Sequence, residues 1–155
     1  MPSRRSVITM SEAELHRFVD EERVLTCATV GPGGRPHLMP LWYLRDGDTL
    51  LAWTYGKSQK VRNLERDPRA TLQLEAGRDV YGQLRGVMLE CDVAIERDPA
   101  RVGEFGLKLM ARYADAELSA PARAGVLQQA PKRVVLRFSP TRVVSWDHRK
   151  LGGAY

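Results

Sequence analysis

The chain has 155 residues, enough for one domain that buries roughly two-thirds of its unfolded surface around a single core. At 43% hydrophobic and 28% charged residues it is too apolar for a disordered chain, and its apolar runs are too short to span a bilayer. A net charge of +5 favours an anionic partner without choosing among nucleic acid, a membrane surface and a small phosphorylated ligand.

The opening residues, "MPSRRSVITMSEAELHRF", carry arginines but no apolar core segment, so no secretory leader is expected and a cytoplasmic location is. Ser11 followed by Glu14 is a capping-box pattern, and Leu15, Phe18 and Val19 continue at helical spacing, which predicts a helix over 11–22. "RVLTCATV" (23–30) reads as a buried strand, "GPGGRP" (31–36) as a turn, and "HLMPLWYLR" (37–45) as a second strand. Pro40 cannot donate to a ladder, which places it at an edge or a bulge. "DGD" (46–48) is a hairpin signal leading into a third strand, "TLLAWTY" (49–55).

A helix then starts at Ser58, shows Val61 and Leu64 as an apolar edge, and stops at Pro68. Residues 69–76 alternate as a strand, 86–96 form a longer one, and 98–114 read as a helix with Val102, Phe105, Leu109 and Tyr113 on one side. The polar, Ala-rich stretch 115–131 leaves helix and irregular chain both open, and 132–148 reads as strand, turn, strand. Cys27 and Cys91 fall inside strand-like runs and are expected to be reduced core thiols. His16, His37 and His148 share no metal-ligand spacing with them, and no metal is expected. With strands dominant, the fold expected is mainly β (α+β), a single domain over 1–155 built as a small antiparallel barrel with peripheral helices.

The segment "TYGKSQK" (54–60) has what a phosphate needs. Gly56 permits close backbone approach, the helix start at Ser58 presents free N–H groups, Thr54 and Ser58 bring hydroxyls, and Lys57 and Lys60 bring charge. Lys57 and Lys60 lie three apart and can converge. A capped, solubilising surface helix uses the same residues, and these features alone leave the two readings even.

The run "LWYLRDGDTLLAWTYGKSQKVRNLERDPRATLQL" (41–74) resembles the core of the pyridoxamine 5′-phosphate oxidase-like family. The resemblance rests on Trp53-Thr54, Ser58-Gln59-Lys60 and Asp67-Pro68-Arg69, and extends more weakly over 11–147. It implies an FMN-binding-like split β-barrel that forms a homodimer with its cofactors at the subunit interface. Four features depart from the pyridoxamine oxidases themselves. Gln59 stands where they carry Arg, Tyr43 where they carry a basic residue and Gly86 where they carry Gln, and the tail "VVSWDHRKLGGAY" lacks their substrate signature. "PLWY", Lys57-Ser58-Gln59-Lys60 and "WDHRKL" are similar instead to the branch that uses the deazaflavin coenzyme F-420.

That resemblance implies an oxidoreductase that transfers hydride from reduced coenzyme F-420 to a small conjugated acceptor such as a quinone, an enone or a tetrapyrrole. FMN-dependent chemistry on the same fold and a non-catalytic cofactor carrier are the alternatives. By resemblance Lys57, Ser58 and Lys60 hold the cofactor phosphate beside Thr54, while Met39, Pro40, Leu41 and Trp42 flank the ring, with core packing as the competing role. Trp146 and Arg149 would reach the partner's cofactor unless the tail is loose. His37, Tyr55 and His148 are possible proton donors, and none is assigned as catalytic. No Rossmann or P-loop fingerprint is present. The three tryptophans sit in apolar context, so no nucleic-acid partner is expected.

Overall fold

The computed structural model describes residues 3–153; Met1, Pro2 and the Ala154–Tyr155 end of the tail lie outside the described residues. Seven strands form one antiparallel sheet: β1 (Leu25–Val30), β2 (Pro36–Leu41), β3 (Tyr43–Asp46), β4 (Thr49–Tyr55), β5 (Arg69–Ala76), β6 (Arg85–Glu96) and β7 (Arg133–Asp147). Their order in space is β2-β1-β5-β6-β7-β4-β3. The helices are α1 (Arg4–Ile8), α2 (Glu12–Glu21), α3 (Gln59–Arg66), α4 (Pro99–Ala114) and α5 (Ala120–Gln129). Among the described residues no helix is long and apolar enough to cross a membrane.

β2 and β3 occupy opposite edges of the sheet, yet only Trp42 separates them in sequence. One residue extends the chain by at most about 3.6 Å, so the sheet curls until its edges approach, giving a split β-barrel. The single strand expected over 37–45 is therefore two strands bent at Trp42. Pro40 lies on the edge strand, where its missing N–H breaks no ladder.

Inward-facing Leu25, Cys27, Leu72, Val87, Leu136 and Phe138 fill the barrel, and α2 and α3 add Phe18, Val19, Val61 and Leu64. A second apolar cluster lies outside, where α4 covers β4 and β7 through Val102, Leu109, Trp53 and Val135. This explains two sequence patterns. β4 is covered on both faces and shows no alternation, whereas β5 buries Ala70, Leu72 and Leu74 and turns Gln73 and Glu75 to solvent. Cys27 and Cys91 are buried and unpaired, and burial pushes both thiols up to about 12.

Several local expectations change. The stretch left open at 115–131 contains α5, capped by Ser119, whose Oγ accepts from Ala122 N at 3.3 Å. Residues 133–147 form one strand in place of strand, turn, strand. Pro140 pairs with Cys91 and Arg142 with Glu90, leaving Thr141 as the extra residue of a bulge that absorbs the proline. The short α1 carries no core residue and had no signal in the apolar pattern. The tail, expected loose as one alternative for Arg149, is tied down. Arg149 forks onto Asp147 at 2.9 and 2.7 Å, and Lys150 Nζ donates to Glu14 Oε2 at 2.6 Å and Thr9 O at 2.8 Å.

Gly86 faces Trp146 across β6 and β7. A Cβ there would lie 2.5 Å from Trp146 Cζ2 and 2.6 Å from the Leu74 carbonyl oxygen. Gly86→Ala is expected to destabilise the fold by about 1–3 kcal/mol and to shift tryptophan emission. A urea midpoint and emission equal to those of the unaltered chain would contradict this packing.

Candidate functional site

α3 begins where β4 ends. Ser58 holds its N-cap position, with Arg62 N donating to the Ser58 carbonyl at 3.2 Å. Its hydroxyl makes no cap bond; Oγ is buried without a hydrogen-bond partner. The helix buries Lys60, Val61, Asn63 and Leu64, the i, i+1, i+3, i+4 face of an amphipathic helix on a core. Asn63 is satisfied within the fold: it donates to Thr29 Oγ1 at 3.0 Å and accepts from Gln59 Nε2 at 2.9 Å.

Lys60 is satisfied only in part. It is 8% exposed, and its Nζ donates to Thr54 Oγ1 at 3.0 Å. Burial is the main force holding its pKa below the ordinary value; the field of Cys27 opposes this and the positive charge of Arg133 adds to it. Cys27 is a neutral thiol at neutral pH and so supplies no counter-charge. Among the described residues no carboxylate pairs with Lys60.

The Lys60 ammonium and Thr54 line a cavity of about 510 Å3 whose other walls include Pro40, Leu41, Trp42, Trp53, Leu109 and Met110. Trp42 stacks on Tyr113 of α4, with centroids 4.2 Å apart and planes at 12°. Tyr113 is itself fixed: its hydroxyl donates to Arg23 O at 2.6 Å and accepts from Tyr43 N at 3.1 Å. Arg112 beside it donates to the carbonyls of Asp20 and Glu22 at 2.8 Å each, tying the last turn of α4 to the end of α2. One face of Trp42 is thereby covered, and the residue stays 46% exposed.

A second cavity of about 550 Å3 lies beside the first and includes Tyr55, Gly56, Lys57, Arg97 and Lys132 in its lining. Arg133 lines both. Its guanidinium carbon sits 3.6 Å from the Tyr55 ring centroid and 4.6 Å from that of Trp53, and Nη2 donates to Gln129 Oε1 at 2.9 Å. Arg133 Nε and Trp53 Nε1 are, like Ser58 Oγ, buried without a partner. Unsatisfied donors on Trp53 and Arg133, beside an unpaired ammonium and flat apolar walls, fit a ligand that joins a planar ring to a phosphate; Ser58, at the start of the same helix as Lys60, lines neither cavity.

The fold thus brings Pro40, Leu41, Trp42, Thr54 and Lys60 together in one cavity. Lys57, expected to converge with Lys60, precedes the helix and lines the second cavity instead. Met39 shares the sheet face of its partner Cys27 but is 42% exposed and lines neither cavity. Trp146 packs against Gly86, away from both. His37, Tyr55 and His148 do not line the first cavity; Tyr55 lines the second. Sequence reasoning missed Arg133, Tyr113 and Met110, because each reaches the site by a long-range pairing or by the docking of α4. The dibasic Lys132-Arg133 ahead of the last strand was the one available signal. Away from the cavities, Glu12, His16 and Asp48 bring ligand atoms within 4.8 Å of one another, with His16 Nε2 and Asp48 Oδ1 hydrogen-bonded at 2.8 Å.

The family model for pyridoxamine 5′-phosphate oxidase matches residues 11–147. No curated protein matches. Among solved structures, a conserved hypothetical protein of Mycobacterium tuberculosis is 41% identical with a TM-score of 0.88, over 99% of this chain and 95% of that one. An F420 reductase is 28% identical with a TM-score of 0.66, over 83% of this chain and 94% of that one. A FAD-binding protein of Mesorhizobium loti shares the fold at 19% identity and a TM-score of 0.66, over 88% and 94% of the two chains.

A buried cation with no counter-ion costs stability. The unfolded chain holds more protons than the native one in the window just below 10.5, the ordinary lysine value, so this group's contribution to stability rises with pH there. Lys60→Met keeps the apolar stem and is expected to raise stability by about 1 kcal/mol at neutral pH, with a smaller gain near the top of that window. Urea unfolding at the two pH values checks both the sign and the trend.

Proposed function

The chain belongs to the pyridoxamine 5′-phosphate oxidase family, and we propose that it is an oxidoreductase using reduced coenzyme F-420 to reduce a small conjugated acceptor, with FMN as the alternative cofactor. The observation that carries this reading is the Lys60 ammonium, buried without a counter-ion beside a slot walled by Trp42, Trp53 and Met110. The 28% identity to an F420 reductase supports the deazaflavin over FMN.

When bound, such a ring supplies two electrons as hydride to the acceptor, which completes its reduction with one proton from solvent. The rest falls to the protein. Lys60 would neutralise the phosphate, with Ser58 and the first N–H groups of α3 as the further donors nearest to it in sequence. Thr54 Oγ1 accepts from Lys60 and keeps its own hydrogen free to donate. Trp42, held from behind by Tyr113, offers a flat face that would hold the ring, with Pro40 and Leu41 as neighbouring walls. Leu109 and Met110 on α4 exclude water from the slot. None of these duties needs an acid–base pair.

Lys57 adds charge from the adjoining cavity. Met39, expected to flank the ring, does not line this slot within one chain, and Trp146 keeps its expected role only across a homodimer, facing the partner's cofactor. Cytoplasmic placement is part of the same reading, supported by two buried, unpaired cysteines.

Titration of the purified chain with coenzyme F-420 and with FMN tests the proposal. Lys60→Met is expected to weaken binding of the preferred cofactor by about tenfold or more. Tighter binding of FMN would replace the deazaflavin, tight binding without turnover on a quinone panel would make the chain a carrier, and binding of neither would end the reading.

A further inference from the structure

The second cavity has no part in holding the ring, and its lining is unlike the rest of the surface. Lys57, Arg97, Lys132 and Arg133 line it, and no carboxylate does. Among the described residues only Arg97 of these four is ion-paired, with Glu65. Ion pairs such as Arg45–Asp20, Lys108–Glu104 and Arg142–Glu90 hold cations elsewhere; here three of the four lining cations share one cavity with no carboxylate partner among the described residues.

The cavity is also built on fixed backbone. β4 and β7 pair Tyr55 with Arg133, and Gly56 N donates to Lys132 O at 3.0 Å. A Cβ on Gly56 would stand 3.3 Å from Val134 Cγ1, so the floor stays bare. Arg133 is immobilised before any ligand arrives, between two rings and by Gln129. Its Nη2 is engaged and its Nε buried, which leaves Nη1 without a protein partner among the described residues.

We propose that this cavity seats an anionic group, a phosphate, sulfonate or carboxylate, of the acceptor molecule. The proposal rests on the first cavity being the seat of the cofactor. There the cofactor phosphate has its own donors in Lys60 and Thr54, with Lys57 adding charge from the rim, and Arg97, Lys132 and Arg133 remain for a second anion. Arg133, shared by both cavities, holds that anion close to the slot, which brings the acceptor beside the ring. The acceptor is thus a conjugated molecule carrying an acidic substituent, and the cationic cavity selects it over neutral analogues.

Calorimetric titration of the full chain with inorganic pyrophosphate at low salt tests the cavity without the cofactor. Saturable binding is expected to persist in Lys60→Met, whose first cavity no longer offers an ammonium, and to weaken about tenfold when Lys132→Glu is added to that variant. No saturable binding, or a loss in Lys60→Met equal to that from adding Lys132→Glu, would overturn the proposal. In the loaded protein, pyrophosphate and the preferred cofactor are expected to bind without displacing each other; mutual displacement would give the cations to the cofactor and defeat the assignment to the acceptor. Turnover of a naphthoquinone and its sulfonate then reads selectivity: Lys132→Glu should raise KM for the sulfonate about tenfold and leave the neutral quinone alone. Pyrophosphate binding with this variant pattern in a chain that takes up neither coenzyme would sink the cofactor reading and leave the anion seat standing.

Discussion

Because Trp42 alone joins strands at opposite edges of the sheet, the barrel has to close at this residue, and the closure sets the site. It brings Pro40 and Leu41 at the end of β2 to the end of β4, where Thr54 lies. It also leaves the indole with no strand neighbour on its own backbone, so α4 supplies the support through Tyr113. A slot with one fixed aromatic wall results. Its position depends on the chain's shortest connection, and its shape on the helix docked across β4 and β7.

The electrostatics follow from the same geometry. α3 must turn Val61 and Leu64 into the barrel, and the helical repeat then carries Lys60 and Asn63 inward with them. Asn63 finds Thr29 and Gln59; Lys60 finds one hydroxyl and no charge. Such a residue is poorly explained by stability, since a methionine would fill the same space without losing hydration. It is well explained by a ligand that brings the missing negative charge. Arg133, pinned between Tyr55 and Trp53, extends that positive field from one cavity into the next.

Much of this was legible in the residues because it depends on local rules. The capping box at Ser11 and Glu14 forms as the spacing requires, with Ser11 N donating to Glu14 Oε2 at 2.7 Å. The Pro68 stop and the alternation of β5 are likewise where short-range chemistry puts them. The errors arose where a local signal had two meanings. Ser139-Pro140 reads as a turn but lies at a bulge, because β6 pairs with β7 on both sides of it and keeps the strand continuous. "LWYLR" reads as one strand because every residue in it suits a strand; the bend at Trp42 answers to barrel closure, which no window of five residues contains. Lys57 and Lys60 lie three apart, yet only Lys60 belongs to α3, and the two line different cavities.

By itself the amino-acid sequence determined most element types, the restriction of Pro40 to an edge or a bulge, the cationic turn at 54–60 and the family likeness, all of which are written in short-range periodicity and backbone chemistry. The tertiary structure decided which residues of distant segments share a cavity: Arg133 beside Tyr55 through the β4–β7 register, Tyr113 behind Trp42 through the docking of α4, and two cavities where one loop had suggested a single grip. The physical reason is that burial and unpaired charge are properties of the closed barrel. A lysine's sequence neighbours do not reveal that its ammonium has been left without a counter-ion until the sheet has curled around it.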